Sequence, residues 1–527
     1  MNLEQQIGRR IIGSFAGHIP SPDTLASVRR GRVGGVTLYR HLNMHGPAQM
    51  RAMTAALQEA ARQGGQPCLL IAADQEGGTL IALPGTTPFP GNMALGATRA
   101  PELARRMGRA VGLELAAMGV NVNYAPVCDV NVNPRNPVIG VRSFGEDPAL
   151  VANLGAAVVE GTQSAGVAAT AKHFPGHGDT AQDSHHGVPV VPHDLERLSR
   201  VELPPFVEAV RAGVKLVMTS HVALPALTGG EIVPATLSRH ILDGLLRGQV
   251  GFDGPIISDA MDMAGVKQGL STEQACVRAV CAGVDLLLFG PADQYAHDSV
   301  HQALTTAAQD GTIRLTEAAR SEERILALKF WLAQQRQPSL DVVGCAEHKT
   351  LALEIAAHSI TLVRDSAGLL PLGPNLHAGA KVAAVVPRPA DLTPADTSSY
   401  ELPRLASALR QYHSSVDEFI VPLDPSPSEV TSLREQLSGY DLVIVGTINA
   451  ATQPGQAALV NALLAAGVPL VAVAMRLPYD IHAYPSAPTY VCTYSIQPPS
   501  MEALALALFG RIPLLGRLPV SVPGFDS

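Results

Sequence analysis

The chain has 527 residues, of which 46% are hydrophobic, 16% charged and 4% aromatic. That length suits two or three domains, and the composition excludes disorder and predicts large cores built from Ala, Val and Leu. A formal net charge of −8 implies no basic face, so nucleic acid is not an expected partner.

The N-terminal stretch MNLEQQIGRRIIGSFAG lacks the long apolar segment of a signal peptide, and no run of 18 uncharged apolar residues follows anywhere. The expectation is a cytoplasmic protein without a membrane partner. From there the chain alternates short β-branched runs with longer Ala/Leu-rich stretches of helical period. Strands are expected at 10–16, 33–39, 68–74, 122–127, 168–174, 214–220, 254–260 and 284–290, with helices such as 102–119 and 150–166 between them. Eight strands with intervening helices fit a (β/α)8 barrel, although a doubly wound open sheet would give the same count.

The polar residues favour the barrel. Asp74 ends the third run, Asp129 follows the fourth, Lys172 and His173 end the fifth, Ser220 and His221 the sixth, and Asp259 the seventh. A closed barrel gathers all these strand ends on one face, whereas an open sheet spreads them along an edge. The stretch AKHFPGHGDTAQDSHHG, residues 171–187, joins the end of a buried strand to a Gly-rich loop carrying Asp183 and His185. Titratable groups on a loop after a buried strand are suited to proton exchange.

A charged amphipathic helix at 316–337 closes this domain, placed at 1–337. Residues 338–350 read as a linker, and 351–527 as a smaller α/β sandwich with β-runs such as KVAAVVP, DLVIVGT and PLVAVAM. No strand–GxGxxG–helix unit or P-loop occurs, so no nucleotide cofactor is expected. The six cysteines show no CxxC spacing, which favours buried reduced thiols over zinc or disulfides. The histidines between 173 and 186 have no metal-ligand spacing, so neither a metal nor any other cofactor is expected.

Residues 74–78 (DQEGG), 123–129 (NYAPVCD), 139–148 (IGVRSFGEDP), 172–185 (KHFPGHGDTAQDSH), 234–238 (PATLS) and 252–263 (FDGPIISDAMDM) together resemble glycoside hydrolase family 3. Within it they look most like the bacterial β-N-acetylglucosaminidase branch of two-domain type. The resemblance implies an exo-acting retaining enzyme whose substrate is a carbohydrate with a terminal β-linked N-acetylglucosamine, cell-wall-derived or a chitooligosaccharide. It implies Asp259 as the nucleophile that forms a glycosyl ester, against the simpler reading of Asp259 as a helix cap. It implies His185 as acid/base, with Asp183 holding the imidazole ring, and Asp74, Arg142, Lys172 and His173 as the sugar-binding set. Asp129 and His221 are expected to support these groups. His177 is expected to shape its loop, with Gly176 and Gly178 supplying positive-φ turns. One departure stands out: Thr79 and Ala82 occupy places where muropeptide-recycling members usually carry arginine. Two other activities fit the same motifs, a phosphorylase using phosphate as acceptor and a β-glucosidase or β-xylosidase.

Overall fold

The computed structural model describes residues 3–182, 187–291 and 297–524. Eight short parallel strands form the first sheet: β1 (Ile11–Gly13), β2 (Gly35–Thr37), β3 (Leu70–Ala73), β6 (Val122–Asn123), β7 (Ala168–Phe174), β8 (Leu216–Thr219), β9 (Ile256–Ser258) and β10 (Leu287–Leu288). A two-stranded hairpin, β4 (Gln75–Gly77) and β5 (Leu80–Ile81), leaves the end of β3. In the main sheet β10 pairs with β1, and the sheet closes through a parallel bridge between Ile257 and Leu286 at the β9–β10 seam. Asp285 and Leu286 add N–H bonds to the Ile256 carbonyl there.

Each strand lies at an expected position; β7 fills its whole run, and the other seven are shorter than theirs. Inward side chains from successive strands, among them Ile12, Leu70, Val122, Ala168, Leu216 and Ile257, form one core inside the barrel. Ile325, Leu328 and Leu332 of the helix Leu315–Ala333 join that core, so this helix plugs the barrel floor. The outer helices bury their other face. In Pro101–Ala117, Leu103, Ala104, Met107, Ala110, Val111 and Leu115 recur at helical spacing and are buried. Asp147 caps Pro148–Ser164 by accepting the Ala149 N–H.

The helix Ala346–Ser359 begins inside the stretch expected as linker. Beyond it, a six-stranded sheet in the order β11 (Thr361–Asp365), β16 (Thr489–Cys492), β15 (Leu470–Ala474), β14 (Leu442–Thr447), β12 (Val382–Pro387) and β13 (Val416–Val421) makes the smaller α/β domain. All its pairings are parallel except β11–β16. The core on one side of this sheet takes in Met93, Ala94, Ala97 and Val141 from the barrel half of the chain. Among the described residues, no helix is long and apolar enough to cross a membrane.

Candidate active site

Parallel strands bring their carboxyl ends to one face, and a cavity of about 710 Å³ opens there. Asp74, Arg142, Lys172, His173 and Asp259 all line it. Asp183 and His185, the expected dyad, lie outside the described residues.

One wall of the site is a buried ionic cluster. Lys172 Nζ sits 2.6 Å from Asp74 Oδ1 and 2.6 Å from Glu76 Oε1. Arg142 donates to the same Glu76 through Nε (3.0 Å) and Nη2 (2.8 Å), a two-pronged contact that fixes both planes. Burial would raise the Glu76 pKa, but Arg142 and Lys172 outweigh it and hold the carboxyl at about 2. Burial likewise opposes the Lys172 ammonium, yet Asp74 and Glu76 keep its pKa above the ordinary lysine value. Both cations therefore stay charged at the cavity wall. Asp74, the more exposed carboxylate of the cluster, keeps an edge toward the cavity.

Asp129 organises the loop after β7 from beneath. It is fully buried and accepts from the backbone N–H of His173 (3.2 Å) and of His177 (2.7 Å), and it pairs with His173 Nδ1 at 2.7 Å. Burial is overcome by these two histidines, so its pKa lies below the usual aspartate value. His177 pairs through Nδ1 with Thr180 Oγ1 at 2.9 Å, and Asn136 Nδ2 donates to the carbonyls of His177 and Gly178. Burial pushes the His177 pKa down to about 4, against the pull of Asp129, so its ring is neutral at pH 7. Gly176 takes φ +129°, as expected of a turn glycine. Gly178 does not have positive φ; a Cβ there would lie 1.8 Å from the Val130 carbonyl oxygen, so the constraint is close backbone approach.

Asp259 follows β9 directly, and its Oδ1 accepts the adjacent Ala260 N–H at 2.8 Å. The next helix, Ala264–Lys267, has Met263 at its cap position, so the helix-cap reading of Asp259 is set aside. His221, also fully buried, pairs its Nε2 with the Ala260 carbonyl (3.0 Å) and its Nδ1 with Thr236 Oγ1 (2.9 Å). It thereby anchors the peptide that follows Asp259.

Three contributors escaped the sequence reading. Glu76, inside DQEGG, is the hub of the ionic cluster. Arg40, just past β2, reaches the cavity, donates to the Ile81 carbonyl (3.0 Å) and lies 4.2 Å from the centre of the Tyr400 ring. Tyr400 belongs to the second domain, whose segment 391–400 forms one wall of the cavity. That segment is held by Asp396, which pairs with Arg476 Nη1 (2.6 Å) and accepts the N–H groups of Leu392 and Ser398. It docks on the β4–β5 hairpin: Thr397 donates its N–H to the Thr79 carbonyl (2.8 Å), Ile81 N–H donates to Thr397 Oγ1 (3.0 Å), and Gln497 Nε2 donates to the Gly78 carbonyl (2.8 Å). The hairpin around Thr79 thus packs under the second domain, Ala82 follows it on the cavity wall, and Arg40 supplies a guanidinium at Ile81.

Among the described residues, Asp179, His193 and Glu202 bring ligand-type atoms within 4.8 Å of one another. Arg197 lies 2.7 Å from Glu202 and 3.9 Å from Asp179, so a guanidinium already supplies the positive charge a cation would bring.

Comparison with known proteins agrees with this fold. A family profile described as the N-terminal domain of glycosyl hydrolase family 3 matches residues 12–328. A β-hexosaminidase A from Pseudoalteromonas piscicida is 32% identical, covering 95% of this chain and 91% of that protein. A β-N-acetylglucosaminidase/β-glucosidase from Cellulomonas fimi is 31% identical, over 95% of this chain and 90% of its own length. The solved structure of a family 3 β-N-acetylglucosaminidase from a Paenibacillus species superposes with a TM-score of 0.92 at 39% identity, covering 99% of each chain.

Proposed function

The chain belongs to glycosyl hydrolase family 3 and is a glycoside hydrolase; from that premise we propose that it removes terminal β-linked N-acetylglucosamine by a two-step, configuration-retaining mechanism. The observation that carries this reading is the placement of Asp259 on the same cavity as the Asp74–Glu76–Lys172–Arg142 cluster. Asp74, Lys172 and His173 offer one acceptor and two donors to the ring hydroxyls. Asp259 attacks the anomeric carbon as the bond to the leaving oxygen breaks, and the His185 imidazolium gives that oxygen its proton. His185, oriented by Asp183, then takes a proton from water, which attacks the same carbon and releases Asp259. No metal or other cofactor takes part.

The names of the relatives support the N-acetylated sugar. The Cellulomonas fimi name, which joins two activities, also favours a second reading in which β-glucosides are turned over.

The test is a substrate and leaving-group series. Asp259→Asn is expected to lower turnover by several orders of magnitude, since an amide cannot form the glycosyl ester. A 2-fluoro sugar is expected to label Asp259. His185→Ala is expected to slow poor leaving groups far more than acidic phenols; a uniform loss would make His185 structural. Aryl β-N-acetylglucosaminide and aryl β-glucoside, each with and without phosphate, separate hydrolysis from phosphorolysis and one sugar from the other.

A further inference from the structure

We propose that the floor of the barrel, at the opposite end from the sugar cavity, carries a binding site for a phosphate group, taken either as inorganic phosphate or as a small phosphomonoester. A cavity of about 320 Å³ opens there between the amino ends of the strands and the closing helix Leu315–Ala333. Five guanidinium groups line it: Arg10, Arg239, Arg247, Arg320 and Arg324. Three carboxylates line it too, Asp243, Asp285 and Glu317, which leaves the cavity with an excess of positive charge.

The carboxylates are already engaged. Asp285 takes Arg247 Nη2 at 2.7 Å, Arg324 at 3.5 Å and the Ile256 N–H at 2.8 Å. Arg239 bridges Asp243 and Glu317. Donors, by contrast, are left over. Arg10 is 4% exposed and uses Nη2 on the Ala318 carbonyl, while its Nη1 has no hydrogen-bond partner. Ser321, also 4% exposed, has a buried Oγ with no partner. Arg320, exposed at the mouth, has no carboxylate partner among the described residues. Two buried orphan donors on the wall of one cationic cavity are unusual, because such groups are normally satisfied. A ligand with several acceptor oxygens and negative charge suits a wall with spare donors and excess positive charge, and guanidinium forks match phosphate geometry. A cation is disfavoured by the charge excess, and a neutral sugar leaves that excess uncompensated.

The position gives the site a consequence. Arg10 enters β1, and its carbonyl accepts the Leu287 N–H of β10. Asp285 ties Arg247 to the first residue of β9. The ligand therefore bridges the seam where the barrel closes and the helix that plugs it. Binding to the folded chain alone stabilises it by mass action.

Titration calorimetry and melting of the full chain with inorganic phosphate, glycerol phosphate and sulfate, against chloride at matched ionic strength, test the proposal. The expected result is one saturable site per chain and a melting temperature that rises with phosphate. Arg320→Ala is expected to weaken binding about tenfold, the loss of one charge-assisted contact, with turnover of aryl glycoside unchanged. Ser321→Ala is expected to weaken it to a smaller extent. Asp259→Asn, and saturation of the sugar cavity with N-acetylglucosamine, are expected to leave it intact. Tighter binding of glycerol phosphate than of inorganic phosphate identifies the phosphomonoester as the source, and the reverse order identifies free phosphate. The proposal is overturned if phosphate acts no differently from chloride, an adventitious ion only. It is equally overturned if Arg320→Ala binds like the parent, or if N-acetylglucosamine displaces the anion.

Discussion

Glu76 shows how one buried carboxylate can set the state of a whole binding wall. It neutralises Arg142 and part of Lys172, so removing its charge strands Arg142 in a dry environment and leaves Lys172 with Asp74 alone. Glu76→Gln is expected to destabilise the fold by about 3–5 kcal/mol, the usual range for breaking a buried ion pair, and to raise KM more than it lowers kcat. An unchanged urea midpoint would remove Glu76 from this role. The acid response follows from two depressed pKa values. His177, ordinarily at 6.5, is held at about 4; the unfolded chain takes up that proton first, so stability falls as pH drops from 6.5 toward 4. Glu76, ordinarily at 4.5, is held at about 2; its contribution is full above 4.5 and is lost as pH falls through 2. Urea melts between pH 8 and 3 should show the upper step, and His177→Gln should remove it. Aspartate and lysine at strand ends were legible as site residues because a charge after an apolar run needs a partner or a task. Glu76 was not, since between Gln75 and two glycines it reads as loop polarity. Gly178 misled because a glycine chosen for space and one chosen for its φ look identical in a sequence.

At the scale of elements, the barrel strands were legible because eight apolar runs recur with helical stretches between them. The β4–β5 hairpin was hidden, since its strands of three and two residues are shorter than any pattern can resolve. Also hidden was the manner in which the helix Leu315–Ala333 plugs the floor. Its charges suggested a solvated face, yet Lys329 is buried and donates Nζ to the Gly34 and Cys68 carbonyls at 2.7 Å each. Burial, only partly offset by its neighbours, lowers its pKa to about 8. Gly34 keeps a second donor in the Leu70 N–H, whereas among the described residues the Cys68 carbonyl takes its hydrogen bond from Lys329 alone. Lys329→Met is therefore expected to destabilise the chain by about 1–3 kcal/mol, the loss from an unsatisfied buried carbonyl. Chemical denaturation reads this directly, and a variant as stable as the parent would show the helix to be held by its apolar face alone.

For the whole molecule, the feature least legible in the sequence is the wall that the second domain lends to the cavity. Residues 391–400 are rich in Asp, Thr, Pro and Ser, the composition of an ordinary surface loop, and they meet the β4–β5 hairpin across more than 300 positions of chain. Nothing local marks such a contact. Thr397→Val keeps the shape and one backbone bond but removes both hydroxyl contacts to the hairpin. It is expected to raise KM for aryl substrates about three- to tenfold, a loss of binding rather than of chemistry. The melting temperature should move by only a few degrees. An unchanged KM would confine the second domain to a structural part.

The stacked pair of Arg40 and Tyr400 has a bearing on selective inhibition. Its two halves come from different domains, so a family 3 barrel lacking the second domain lacks the aromatic face. An iminosugar extended by a flat, electron-rich aryl group long enough to reach that pair gains a contact available only in the two-domain architecture. Tyr400→Ala is then expected to weaken the extended compound while sparing the parent iminosugar, and equal losses for both would show that the aryl group rests elsewhere.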